Sequence, residues 1–265
     1  KIGAITDYNI IRQGWILPIQ QRAKEENINI FPGVELAIGN VGGKYGLHML
    51  IIFNEDEDID GINRFIHSLD KNPNIPLVSD NGKHRDLESQ YITEDIVRKI
   101  RDNYKKTIIV FCHPEDNNGI FKSFQPKECS RLIKSIKPDA LEYISDFCKN
   151  KLVSTGELSK SELNKIAIIE NSDPKNLDEI GSKSRNGKVR ATYLKVSEHT
   201  LNAMILALRD PEIRIKLYES PKLTYNKITN IAIKGTQFLN DVNIALNPEI
   251  NTLIGGRGVG KSALI

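Results

Sequence analysis

Gly255, Gly256, Gly258, Gly260, Lys261 and Ser262 are the residues whose types and spacing most directly name a chemistry. From Gly255 the order is glycine, four residues, Gly260, Lys261 and Ser262, behind the strand-like run at 250–254. This is the Walker A spacing. Glycines let the backbone wrap close to phosphate with successive amides pointing inward, the lysine reaches the β and γ phosphates, and the serine hydroxyl ligates Mg²⁺. ATP with Mg²⁺ is therefore the expected cofactor of this loop. Only Ala263, Leu264 and Ile265 follow it, too few for the helix whose amides would hold a phosphate. The expectation is the start of an ATPase domain, truncated after Walker A, with hydrolysis confined to a longer chain.

The elements that must position such residues follow from hydrophobic period. Ile2 to Thr6 reads as a strand, Gly14 to Glu26 as a helix, and Ile28 to Phe31, leading into Gly33-Val34-Glu35, as a second strand: a βαβ rhythm. Leu36 to Ile38 and Leu47 to Phe53 flank a glycine-rich stretch that suits a hairpin. Helical patterns cover Ile59 to Leu69, Thr93 to Tyr104 and Ser130 to Ile136, with a long polar loop from Lys71 to Gln90. Thr107 to Cys112, Ala140 to Tyr143 and Ile166 to Ile169 read as strands, each followed by polar residues. In parallel α/β folds that carboxyl edge is where ligands bind. Beyond Gly181 come Val189 to Val196, a helix at Glu198 to Arg209 and an amphipathic stretch to Tyr218. Short strands at Ile231 to Ile233 and Val242 to Leu246 precede the phosphate loop, so the expected domains are 1–223 and 224–265.

Composition bounds the class. Hydrophobic residues make up 39% of the 265 and charged residues 27%, ordinary values for a globular chain with a core. The sequence offers no apolar run of membrane-spanning length and no signal-peptide layout, which predicts a cytoplasmic protein. Cys112, Cys129 and Cys148 lie far apart and are odd in number, so they read as reduced thiols. A first residue already inside a strand predicts that the N-terminus is not native. The net charge of +3 conceals a division: 181–235 holds eleven Lys or Arg against four Asp or Glu. Such a segment can follow nucleic-acid phosphate, although solvated helix faces carry the same pattern.

Five further segments stand in a telling order: Ile5-Thr6-Asp7-Tyr8-Asn9, Pro32-Gly33-Val34-Glu35, Gly46-Leu47-His48, Cys112-His113-Pro114 and Ser172-Asp173-Pro174-Lys175. Over roughly residues 1–200 the chain resembles the PHP (polymerase and histidinol phosphatase) superfamily. With the phosphate loop behind it, it is similar to the TrlF-like PHP-ATPases, in which a PHP domain precedes an ABC- or SMC-type ATPase. The resemblance implies a distorted seven-stranded βα barrel with metal ions at the strand carboxyl ends and phosphoester hydrolysis. It places Glu35, His48, His113 and Asp173 at ligand positions for Mn, Zn or Fe, whose charge would acidify bound water and stabilise a phosphoryl transition state. Taken singly, each also suits a bland role, a core histidine or a helix cap.

Departures from the family pattern are informative. Its opening His-x-His would precede Lys1, a tyrosine stands at Tyr8 where the family has histidine, and Lys175 closes the last motif where histidine is expected. Tyrosine ligates only as phenolate, and an ammonium repels a cation. The metal site is expected to be reduced, and Lys175 could offer its charge to a phosphate instead. His67, His84 and His199 are expected at the surface. Two functions follow: a metal-dependent phosphoesterase or nuclease coupled to an ATPase in nucleic-acid processing, such as repair or phage defence, or an inactive barrel serving as a binding platform for that ATPase. The implied partners are nucleic acid or nucleotide, and a second copy through the ATPase. No catalytic base is assigned.

Overall fold

The computed structural model describes residues 1–39, 46–174, 176–182, 184–185, 187–218, 226–235, 240–247, 250–252 and 254–258. The chain forms two compact units, Lys1–Ser220 and Pro221–Ile265.

The first unit is mixed α/β. In chain order it contains β1 (Ile2–Tyr8), α1 (Gln13–Glu25), β2 (Asn29–Ile38), β3 (Leu47–Phe53), α2 (Ile59–Ser68), α3 (Thr93–Asn103), β4 (Thr107–Phe111), α4 (Ile120–Ser123), α5 (Pro126–Ile136), β5 (Ala140–Glu142), α6 (Asp146–Ser154), α7 (Lys160–Asn164) and β6 (Ala167–Ile169). A 3-10 turn at Leu177–Glu179 and the strand pairs β7 (Ser184–Arg185) with β8 (Lys188–Val189) and β9 (Thr192–Leu194) with β10 (Ile215–Leu217) follow; α8 (Leu201–Arg209) and α9 (Pro211–Arg214) lie between the last two strands. The sheet runs β1-β2-β3-β4-β5-β6, parallel throughout except for β3, which is antiparallel to both neighbours.

This differs from the expected seven-stranded barrel. Among the described residues the ladder has six strands and ends at β1 and β6 without closing. The chain after β6 leaves the ladder: Thr192 Oγ1 binds the backbone of Glu170 in both directions, at 2.8 and 2.9 Å, and β9 then pairs with β10.

Strand alternation separates two faces. Val34, Leu36 and Ile38 of β2 and Met49, Ile51 and Phe53 of β3 pack under α1, α2, α3, α5 and α6, whose apolar positions recur at helical spacing: Ile59, Ile62 and Ile66, then Ile96, Val97 and Ile100, then Cys129, Leu132, Ile133 and Ile136. The other face carries Phe31, Ile52, Ile108, Val110, Ala140 and Ala167, covered by Leu201 and Leu208 of α8. Strand register places Tyr8, Glu35, Leu50, Val110, Ala140 and Ala167 in one row across this face. It is thus apolar beneath α8 and polar toward the carboxyl ends of the parallel strands.

Several details depart from the sequence expectations. The α5 helix starts at Pro126 because Gln125 and Glu128 form a capping box ahead of the apolar stripe. The α6 helix was not expected; Ser145 caps it by accepting from Cys148 N. The amphipathic stretch to Tyr218 is a single helical turn followed by β10. All three cysteines are free and buried. No helix among the described residues is long and apolar enough to cross a membrane.

In the second unit, β11 (Asn230–Ile233) and β12 (Val242–Ala245) form an antiparallel pair. The expected strand at 250–254 does not form among its described residues, where Ile250 is 84% and Ile254 91% exposed. Extended chain gains ladder bonds only beside another strand, and among the described residues none is paired with it. Gly255, Gly256 and Gly258 are described, the last with φ +83°; Gly260, Lys261 and Ser262 lie outside the described residues.

Candidate functional site

Glu35 is brought to the sheet face by close backbone packing. A Cβ at Gly33 would lie 2.8 Å from Thr6 Cγ2 and 3.0 Å from Ile51 O, so only glycine lets β2 fit between β1 and β3 there. Beyond β1, Asn9 turns the chain at φ +56°. Its amide donates to Glu35 O at 2.9 Å and its side chain accepts from Ala37 N at 2.7 Å, fastening β2 beside Glu35.

His48 enters from the start of β3, the reversed strand, and is 7% exposed. Its amide donates to Asn118 O at 2.9 Å, linking it to the turn that carries His113. That turn follows β4, with His113 at φ +31°, and Asp116 N donates to His113 O at 3.0 Å. Gly119 closes it, since a Cβ there would sit 2.2 Å from His113 O. Asp173 follows β6 at φ +38°. Non-glycine residues at positive φ cost about 1–3 kcal/mol each and persist where surrounding structure fixes them, often at functional sites.

These four side chains line one cleft of about 630 Å³, with Tyr8, Glu115, Asp116, Asn117 and Lys122. At its centre Glu35 Oε1 lies 2.7 Å from His48 Nδ1 and 3.4 Å from His113 Nε2. The two imidazole rings meet edge to face at 5.0 Å. Burial alone would raise the Glu35 pKa, but the bonds from His113 and His48 outweigh it and hold it down at about 2. Burial likewise disfavours charged His113, yet the Glu35 carboxylate raises its pKa.

Tyr8, beside Glu35 in the register, donates its hydroxyl proton to Asp86 and lies 3.5 Å from His48 Nε2. Burial and the Asp86 bond push its pKa well up, so at neutral pH it is a phenol and not a phenolate ligand. Asp86 comes from the long loop after α2, where Leu87 N bonds Ala37 O at 2.7 Å. In sequence that loop shows only its polarity. His84 is also no detached surface residue: its Nδ1 lies 3.1 Å from Tyr8 O and its ring meets the Tyr8 ring at 5.6 Å. His67 likewise lies within bonding distance of Pro73 O and Leu77 N, whereas His199 is exposed as expected.

The donor set fits a divalent cation. Glu35, Cys112 and His113 offer ligand atoms within 4.8 Å of one another, and His113 Nδ1 is buried with no hydrogen-bond partner among the described residues. Cys112 is fully buried, and burial raises its thiol pKa, which leaves it a poorer ligand than the carboxylate and imidazoles. Lys175 lies outside the described residues.

Behind the cleft lies a polar network that the motifs did not reveal. Glu142 Oε2 accepts from His113 N at 2.6 Å, and Arg190 binds both Glu142 and Glu170, the latter at 2.9 Å. Tyr218 donates to Glu170 at 2.6 Å, and the Arg185 guanidinium lies 2.8 Å from it as an ion pair without hydrogen-bond alignment. An acid ending each of two short strands was the available signal; pairing across 48 and 20 residues was not.

No protein-family profile matches the sequence, and no curated protein matches it. Among solved structures, the chain is similar to an amidohydrolase from Chromobacterium violaceum determined with bound sulfate and no metal, at 15% identity and a TM-score of 0.40 over 65% of this chain and 76% of that one.

Proposed function

We propose that the first unit is a metal-dependent phosphoesterase or nuclease module of the PHP type, its metal site reduced, serving an ATPase whose opening strands and phosphate loop make up 224–265. The observation that carries the reading is the convergence of Glu35, His48 and His113, with the carboxylate 2.7 and 3.4 Å from two imidazoles at the edge where the parallel strands end. Glu35, His48, His113 and Asp173 would hold the ion, of the Mn, Zn or Fe class. Bound there, a divalent cation supplies Lewis acidity and a water acidic enough to act as nucleophile at neutral pH.

The residues of the chain supply the rest. Glu35, Glu115, Asp116 and Asp173 make the cleft acidic, which favours a cation and repels a phosphate in its absence. Lys122, on the rim, is placed to receive a phosphate oxygen. Tyr8 keeps its own proton, donated to Asp86 in a hydrogen bond, and stands where the family has a further histidine. The ATPase, its Mg²⁺ and ATP, pairing of two copies through it, and a nucleic-acid role in repair or phage defence rest on the Gly255 to Ser262 spacing and on the order of the sequence motifs.

One observation favours a second reading, an inactive barrel acting as a platform for the ATPase: the neutral phenol of Tyr8 stands where an imidazole would ligate. Elemental mass spectrometry after exposure to Mn²⁺ and Zn²⁺ and gel filtration separates the two. Retained metal that is lost on His113→Ala or Asp173→Ala supports the hydrolase; no retained metal leaves the platform.

A further inference from the structure

Adjoining the cleft is a second groove of about 510 Å³, and the two share Glu115 and Lys122 in their walls. Phe121, Phe124 and Phe147 supply its apolar surface. The first two are half-buried, with one side against the core, but Phe147 is 73% exposed. A phenyl ring left in water at the start of α6 contributes nothing to the core. Lys151 stands with its Nζ 5.9 Å from the centre of that ring. Among the described residues no carboxylate pairs with Lys122 or Lys151. The one acid in the groove wall, Glu115, accepts from both the amide and the hydroxyl of Ser145. In this second groove cationic charge therefore exceeds anionic, beside an open aromatic face, whereas the adjoining cleft is acidic.

An aromatic face with unpaired lysines suits a nucleobase and its phosphate, because every base can stack and each phosphate carries a charge. Each cavity falls within the roughly 300–1,000 Å³ typical of small-ligand sites, so the pair can take two successive units joined at Lys122. A free mononucleotide would fill one cavity, and the bases of a duplex are not free to stack on a side chain. We propose that single-stranded nucleic acid crosses both, with one base on Phe147, the linking phosphate on Lys122 and Lys151 beside the next phosphate. This deepens the phosphoester reading of the cleft, and rests on it for which phosphate is presented to the site.

The test is fluorescence anisotropy of the full chain with fluorescein-labelled oligothymidylate in Ca²⁺, which offsets the acidic charge of the cleft. Phe147→Ala should weaken binding about ten-fold, as loss of one stacked base does. Lys122→Ala should weaken it and lower the salt dependence by about one phosphate contact. Both side chains are exposed, so neither change threatens the fold. Wild-type binding by Phe147→Ala, equal binding of a duplex of the same sequence, or equal competition by thymidine monophosphate would each overturn the proposal. If the chain retains no metal while Phe147→Ala still weakens the strand, the hydrolase reading falls and the groove stands; retained metal with an indifferent Phe147 gives the reverse.

Discussion

The backbone amide of His113 is held at 2.6 Å by Glu142 Oε2, so the turn that presents a candidate ligand is anchored to the end of the neighbouring strand β5. Glu142 is buried, which raises its pKa, while the His113 amide and Arg190 favour the charged form. The guanidinium of Arg190, 10% exposed, bridges Glu142 and Glu170. The geometry of the site thus depends on a cation that does not line the cleft.

Arg190→Met should therefore destabilise the first unit by about 3–5 kcal/mol, because it leaves the buried Glu142 carboxylate without its cation and Glu170 with Arg185 alone. Urea denaturation gives the value. A loss under about 1 kcal/mol would show that the network does not support the site.

Gly119→Ala places a methyl carbon 2.2 Å from His113 O and 2.6 Å from Pro114 O, both backbone atoms that cannot swing away. The turn must open, at a cost of about 1–3 kcal/mol. Any metal the chain retains should fall in occupancy with it, measured side by side with Gly14→Ala in α1, which meets no atoms nearby and needs no left-handed backbone. Equal occupancy in the two variants would separate the turn from the ligand set.

The Glu35 and His113 pair fixes a pH window for the metal-free chain. Glu35 is depressed from 4.5 to about 2 on folding, so its contribution is complete above about 4.5 and is lost as pH falls toward 2. His113 is raised above 6.5, so its contribution is complete below about 6.5 and is lost as pH climbs through the raised value. The two describe one ion pair, counted once. In EDTA the difference in Tm between wild type and Glu35→Gln should be largest between pH 4.5 and 6.5 and should shrink on either side. A difference that does not vary with pH would dissociate the pair.

Removing Asp86 should bring Tyr8 back toward its ordinary pKa of 10.0, though not all the way, since burial remains. Ultraviolet titration of Asp86→Ala, with Tyr8→Phe subtracted, reads this directly. An unmoved Tyr8 would mean that burial alone keeps it a phenol.

How much of this was legible in the sequence depends on the range of the interaction. Hydrophobic period located β1 to β6, α1, α2 and α3, because a buried face repeats every two residues in a strand and about every 3.6 in a helix. The motif order picked out Glu35, His48, His113 and Asp173, which the fold gathers into one cleft. The hairpin pattern already implied that β3 reverses against β2; only tertiary structure decided that it also runs antiparallel to β4, so that His48, at its start, reaches the same edge as the ends of the parallel strands. Tertiary structure also brought Asp86 to Tyr8 across 78 residues and Arg190 to Glu142 across 48. Local sequence sets backbone preference through near neighbours, whereas the partner of a buried charge is chosen by which distant segments the packed core brings within a few ångströms.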